Sequence, residues 1–434
     1  MSEWVETTIG EVSTVFDGPH ATPAKVSRGP VFLGISCLTR GRLDLTAAEH
    51  LSEHDFKRWT RRVEPTAGDV VFSYETRLGE VALIPAGLRC CLGRRMALIR
   101  PDRARLDSEF LLYYYLSPEF QELIRSRTVA GSTVDRILLE EFPKFPIRVP
   151  DLATQREVAS LLVALDDKID LNRRMNRTLE SMARAIFRSW FVDFDPVVAR
   201  AAGRQPFGMS ADVAALFPDR FEEAGSGPLP GSWRFGTVRD CCVRVENGGT
   251  PRRDRPDFWF PAEVPWLTSA EVRQVIVTMT QNYISNDGLV GSSAKLWPQG
   301  TTVVALYGAT AGQVCWLAAE MCANQACCGL VPRDGWSSYV YVHTLSSVDV
   351  LADQSRGSAQ QNLSQEIVAR FQAILPSGPV VGQFEKMIRP ILGKQQLNQE
   401  QSRTLAALRD ALLPKLMSGE LRVRNAEKLV GTHV

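Results

Sequence analysis

The stretch KIDLNRRMNRTL occupies residues 168–179, and KQQLNQEQSRTL occupies residues 394–405. Six of the twelve positions are identical: Lys168 with Lys394, Leu171 with Leu397, Asn172 with Asn398, and the Arg-Thr-Leu triplets 177–179 and 403–405. An Asn-centred helical phrase recurring at an offset of 226 residues points to internal duplication, and a duplication decides the architecture before any local reading does.

Outward from the two phrases the echo continues. WVETTIGEV from Trp4 is matched by WRFGTVRDC from Trp233, and the loop DGPHATP ending at Pro23 by ENGGTP ending at Pro251. GDVVFSYETRLGEVALIP from Gly68 is matched by GTTVVALYGATAGQVCWLA from Gly300, with Gly79 and Gly312 in register. GSTVDRI from Gly131 faces GSAQQNL from Gly357, and Gln155 faces Gln383. The offset stays between 226 and 233, so a unit of roughly 190 residues is present twice, too long for a solenoid repeat and suited to a domain with an appended helix.

Within each unit, segments such as GDVVFSY and GEVALI are apolar, β-branched and bounded by glycine, which predicts a sheet-rich α/β or α+β domain. FLLYYYLSPEFQELIRSR from Phe110 has helical spacing and reads as a helix. The unit ends in a long helix. From Thr154, the residues Val158, Leu162, Leu165, Ile169, Asn172, Leu179, Met182 and Ile186 form a seam of coiled-coil spacing over about 38 residues, a rod on the order of 57 Å. Its counterpart carries Ile388, Leu392, Leu405, Leu408, Leu412 and Leu416, with Pro390 and Gly393 predicting a kink or two shorter pieces. Between Asp193 and Trp233 the Pro- and Gly-rich chain reads as a linker with little core of its own, long enough to let the two helices run antiparallel. Asn172 and Asn398 then hold equivalent seam positions, where paired asparagines fix register at a cost in stability, the alternative being that both face water.

The 434 residues exceed what one core accommodates, and the formal net charge of +1 argues against a polybasic nucleic-acid binder, so any DNA contact must come from local patches. The first twenty residues hold acids and no apolar run, and no stretch approaches the roughly 20 apolar residues of a membrane span, from which a cytoplasmic protein is expected. Nine cysteines without a CxxC, three pairs of them adjacent, predict reduced packing thiols. There is no GxxxxGK[ST] loop, no GxGxxG after a strand, no HExxH and no Asn or Asp-Pro-Pro-aromatic loop for a flipped base. The spacing of His50 and His54 would suit a metal, but no Cys partners lie nearby, so a solvated face is expected. Asp166, Asp167 and Asp170, with Asp193 and Asp195, are the acids a nuclease could use; yet Gly393 and Gln396 stand where a duplicated site would repeat Asp167 and Asp170. No catalytic residue, no metal and no cofactor is expected.

The central run QREVASLLVALDDKIDLNRRMNRTLESMARAIFRSWFVDFDP, the terminal NQEQSRTLAALRDALLPKLMSGELRV and the phrases LFPDRFEE and PLPGSW together resemble the specificity subunit of type I restriction-modification systems over essentially the whole chain. The resemblance implies a mixed α+β fold, a pseudo-twofold tandem repeat in which two sheet-rich target recognition domains are separated by two long helices forming an antiparallel coiled coil. It places recognition domain 1 at residues 1–151, the central helical region at 152–196, a linker at 197–232, recognition domain 2 at 233–377, the C-terminal helical region at 378–425 and a tail at 426–434. It further implies that each domain reads one half of a bipartite double-stranded DNA site, that the helices set the spacer, and that two methyltransferase subunits dock on the assembly. Adenine methylation and ATP-driven cleavage would belong to partner subunits, and whether restriction/translocase subunits join is left open. The other readings are a stand-alone metal-dependent nuclease and a coiled-coil scaffold that binds no DNA.

Polar positions between the matched anchors are the candidate DNA-reading residues. In the first unit they are Lys25, Arg28, Tyr74, Arg77, Ser132, Thr133 and Arg136, and in the second Arg252, Arg253, Arg255, Tyr307, Thr310, Gln360 and Gln361. Arginine and glutamine suit guanine and adenine edges in bidentate geometry, although for any one position an ordinary surface or phosphate role is the commoner outcome.

Overall fold

The computed structural model describes residues 4–20, 23–130, 134–225, 227–356 and 362–431. Two compact units divide the chain, one of residues 1–170 with 401–434 and the other of residues 171–400. Each boundary falls inside a repeated Asn-centred phrase.

In the first unit an antiparallel four-stranded sheet runs in the order Ser13–Asp17, Met96–Pro101, Val70–Ser73, Val81–Leu83. A three-stranded sheet sets Lys25–Leu33 between Glu49–Leu51 and Cys90–Leu92, the last pairing being parallel. Val5–Thr8 closes the unit by pairing antiparallel with Pro146–Val149. The apolar run from Phe110 forms two helices, Ser108–Leu116 and Pro118–Ser126, rather than the single one expected. The reason is local. Ser117 precedes proline, is held extended at φ −64° and ψ 145°, and its hydroxyl accepts from the Phe120 amide, so it caps the second helix as Asp107 caps the first.

The second unit repeats this plan. Its main sheet orders Cys242–Asn247, Cys327–Pro332, Thr302–Ala305, Val314–Leu317 and Ile276–Val277. A three-stranded sheet places Val264–Leu267 between Asn282–Ile284 and Cys322–Ala323, again with one parallel pairing, and Arg234–Thr237 pairs antiparallel with Gln372–Leu375. Small devices are duplicated with the sheets. Thr8 and Glu11 form a capping box, as do Thr237 and Asp240. Gly79 and Gly312 hold φ of 86° and 84°, values at which any side chain is strained. The stretch read as a linker is folded in this unit: Asp195–Ala201 is helical, Phe221–Ala224 pairs with Gly227–Pro230, and Val197, Phe217 and Leu229 are buried in the core. Proline and glycine set its turns, while apolar residues spaced between them still find the core; Phe217 meets Trp190 edge-on at 4.9 Å.

The two long helices run Leu152–Phe191 and Gly378–Met417, 40 residues each, about 60 Å long. The second is one helix through Pro390 and Gly393, where a kink or break was expected. In the first unit Val158, Leu162, Leu165 and Ile169 share a core with Leu405, Leu412 and Leu416. In the second Ala183, Phe187 and Trp190 share one with Phe384, Ile388 and Leu392. Asn176 bonds to Gln395 while Phe187 lies 6.0 Å from Phe384, which makes the pairing antiparallel. The buried seam departs from the expected one past Asn172: Met182 is 48% exposed, and Ala183 and Phe187 take the inward positions. The large Phe187, Trp190 and Phe191 rings, buried against the recognition fold, decide which face of this half turns inward.

Candidate nucleic-acid interface

The loop joining strands Val70–Ser73 and Val81–Leu83 is a polar feature that the first unit builds from several segments. Thr76 (φ 70°) and Gly79 turn it, and the backbone of residues 134–137 seals one side: the Ile137 amide donates to Tyr74 O at 2.9 Å, and Glu75 bridges Arg136. Arg95 closes the other side, 3.0 Å from Glu75 and donating to Thr76 Oγ1 at 3.1 Å. Arg77, Arg94, Arg95 and Arg136 thus gather around one loop. Arg77 is tied to Glu80 at 2.7 Å, whereas Arg94 and Arg136 are exposed, with no ion pair among the described residues.

The second unit builds the same loop. The Leu363 amide donates to Leu306 O at 2.8 Å and Tyr307 bridges Asn362, the counterparts of Ile137 with Tyr74 and of Glu75 with Arg136. The structural partner of Tyr74 is therefore Leu306, a buried residue, and Tyr307 takes the place of Glu75. The match counted from Gly68 and Gly300 likewise sets Tyr74 opposite Leu306, the one extra residue of the second unit falling after them and before Gly312.

The candidates separate accordingly. Tyr74 is buried; enclosure and the neighbouring Asp17 carboxylate push its phenol well up, and its ring presents no face at the surface. Thr310 is also buried, its hydroxyl donating to Tyr307 O at 3.3 Å. Tyr307 itself is 41% exposed. Lys25 pairs with Glu49 at 2.5 Å and Arg28 is exposed on the same strand, where the register slips between Val26 and Val31; both belong to the three-stranded sheet. Arg252 and Arg255 each fold back on a carboxylate two residues on, Asp254 and Asp257, both at 2.6 Å. Arg253 lies 4.7 Å over the Trp259 ring and 5.8 Å from that of Trp266, a fixed cation on an aromatic base. Ser132, Thr133, Gln360 and Gln361 lie outside the described residues. Arg94, Arg95 and Arg273, which donates to Ala309 O at 3.3 Å, join these loops without having been anticipated; only the basic pair in GRRM hinted at the first two.

Of the acids that a nuclease could use, Asp166 and Asp170 are held by neighbouring segments and Asp193 pairs with Arg188 at 3.0 Å. Asp166 accepts from Tyr113 Oη at 2.8 Å and from Arg409 Nη1 at 2.6 Å, and Arg42 bonds to both Asp166 and Asp170. These contacts fasten the helix pair to the recognition fold of the first unit. No cluster of three metal-ligating side chains occurs among the described residues, and His50 instead meets Gly29 O at 2.9 Å. All nine cysteines are buried without a disulfide; burial pushes the Cys90, Cys91, Cys322 and Cys328 thiols up to about 12. Among the described residues no helix is long and apolar enough to cross a membrane.

A family model described as the type I restriction modification DNA specificity domain matches residues 1–181 and again 230–383. The chain is 28% identical over 372 residues to the HindI type I restriction enzyme specificity subunit of Haemophilus influenzae, covering 75% of this chain and 80% of that one. It is 22% identical over 395 residues to the MjaIX specificity subunit of Methanocaldococcus jannaschii, covering 86% and 82%. The crystal structure of a type I S subunit from M. genitalium superimposes with a TM-score of 0.60 at 13% identity over 96% of both chains, a likeness of fold.

Proposed function

The chain belongs to the type I restriction-modification DNA specificity family, and from that premise we propose that it is the non-catalytic, cytoplasmic DNA-reading subunit of a type I complex. Recognition domains at 1–151 and 233–377 each read one half of a bipartite duplex site. The helical regions 152–196 and 378–425 set the unread spacer, and 197–232 returns the chain to the second domain. The observation that carries this reading is the duplicated loop, sealed by the same two backbone contacts in each unit but furnished with different side chains: Arg77, Arg94, Arg95 and Arg136 in one, Tyr307 and Arg273 in the other. Equivalent placement with unequal chemistry suits two different half-sites, since phosphate contacts position a protein and base-edge contacts specify. Two methyltransferase subunits supply the methylation chemistry, and restriction/translocase subunits join only if the complex also cleaves. We assign the methyltransferase contact to Leu171 and Leu397, matched positions of the repeated phrase that are 44% and 61% exposed. Exchange of residues 1–151 for those of a relative tests the reading. The methylated motif should change in its first half alone; a change in both halves or in neither would overturn it.

A further inference from the structure

The first unit contains a cavity of about 420 Å³, within the range of roughly 300–1,000 Å³ in which small molecules bind. It lies apart from the arginine loop, between the DGPH turn and the helix Glu53–Trp59 with the residues that follow it. Its lining combines three kinds of group. Arg58, Arg61 and Arg62 contribute three cations against a single carboxylate, that of Asp17. Arg62 approaches Asp17 at 3.5 Å and His20 does so at 2.7 Å, while Arg61 has no ion pair among the described residues. Trp59, with Val63 and Leu92, supplies an apolar surface, and the Arg58 guanidinium lies 4.6 Å over the indole ring. The Trp59 Nε1 donor is buried without a hydrogen-bond partner and sealed from solvent, so it marks the packing of the indole and not a contact offered to the cavity.

The orphaned Asp17 Oδ1 says less about a ligand. Asn247, its counterpart before Gly248, has the same buried and unpartnered Oδ1, so that feature belongs to the repeated turn rather than to the cavity. What distinguishes the first unit is the run RWTRR at 58–62, which places an aromatic ring among three guanidinium groups. Guanidinium forks match phosphate oxygens, and an indole face stacks with a planar base regardless of its identity.

We propose that this cavity binds a nucleoside monophosphate unit, with the base replacing the Arg58 guanidinium over Trp59 and the phosphate held by Arg61 and Arg62. The unit can come from a free nucleotide or from a nucleotide turned out of the DNA strand, and the chemistry is shared. The proposal goes beyond half-site reading and does not require it.

The probes are 2-aminopurine riboside 5′-monophosphate and duplexes carrying 2-aminopurine at successive positions of the first half-site, titrated against the full chain. Saturable quenching by the mononucleotide is expected, with affinity falling at least about tenfold for Trp59→Ala and for Arg61→Glu/Arg62→Glu, and for the nucleoside lacking phosphate. Quenching at one duplex position, lost in the same variants, identifies DNA as the source; quenching by the free nucleotide alone identifies the other. Absence of saturable quenching by either probe, or quenching indifferent to both variants, overturns the proposal. Trp59→Phe, which keeps a stacking ring, should retain binding and serves if the alanine variant does not fold. Binding of the unmodified bipartite duplex, read in parallel with the methyltransferase partner, fails only if the DNA-reading function itself is wrong.

Discussion

Asn398 donates its side-chain amide to Asn176 Oδ1 at 2.8 Å, joining the two long helices within the second unit. Gln395 completes the junction: its Nε2 donates to Asn176 O at 2.9 Å and its backbone carbonyl accepts from Asn176 Nδ2 at 3.1 Å. Asn172 and Asn398 are each 2% exposed, so neither faces water. Replacing Asn398 alone with leucine leaves a polar partner short of a bond in an enclosed seam, and should lower stability by about 1–3 kcal/mol in urea unfolding. Replacing Asn176 and Asn398 together with leucine should recover most of that loss while weakening the preference for one spacer length, because an apolar seam tolerates slippage. A double variant with unchanged spacer preference would show that the amides do not set register.

The His343 imidazole is enclosed by the rings of Phe187, Tyr339 and Phe371, and burial brings its pKa down to about 4. As pH falls from about 6.5 to about 4, the unfolded chain takes up a proton that the folded chain refuses, so stability declines across that window. The expected loss is about 2 kcal/mol, below the full value of the shift because the three rings leave His343 at intermediate and not complete burial. Urea unfolding of the second unit at stepped pH measures it, and His343→Phe should flatten the profile.

Arg94 and Arg136 border the first unit's loop with exposed guanidinium groups. If both meet phosphates, the double alanine variant should make the slope of log K against log salt shallower by about 2, in the complex with its methyltransferase partner. An unchanged slope together with altered bases in the first half-site would instead assign them to base edges.

Leu171→Asp and Leu397→Asp should abolish assembly with the methyltransferase in size-exclusion chromatography while changing the unfolding free energy by no more than about 0.5 kcal/mol, as exposed positions do. Normal assembly by the double variant would move the contact elsewhere.

Much of the architecture was legible in the chain because duplication writes it twice. The paired phrases announced two like units, and strands bounded by glycine announced sheets. Gly79 and Gly312 matched in the sequence and hold the same left-handed backbone in the structure. The loops were legible only as places. Arg77 and Arg136 could be proposed from their position between anchors, but that Arg95 and residues 134–137 flank one loop from two sides depends on pairings that no local pattern encodes. Tyr74 misled because its place between two strands reads as a surface loop, while packing buries it as it buries its counterpart Leu306.

The sequence by itself determined the repeat, the helices and the composition of their seam, because periodicity and turn chemistry are local properties of the chain. Tertiary structure decided which residues face which. Pro390 lies within a continuous 40-residue helix, Met182 is turned outward and Phe187 inward, and Asp166 is bound by Tyr113, Arg42 and Arg409 from three separate segments. Those outcomes follow from packing large rings and pairing enclosed charges among segments far apart in the chain, where the partner, and not the neighbour in sequence, sets the energy.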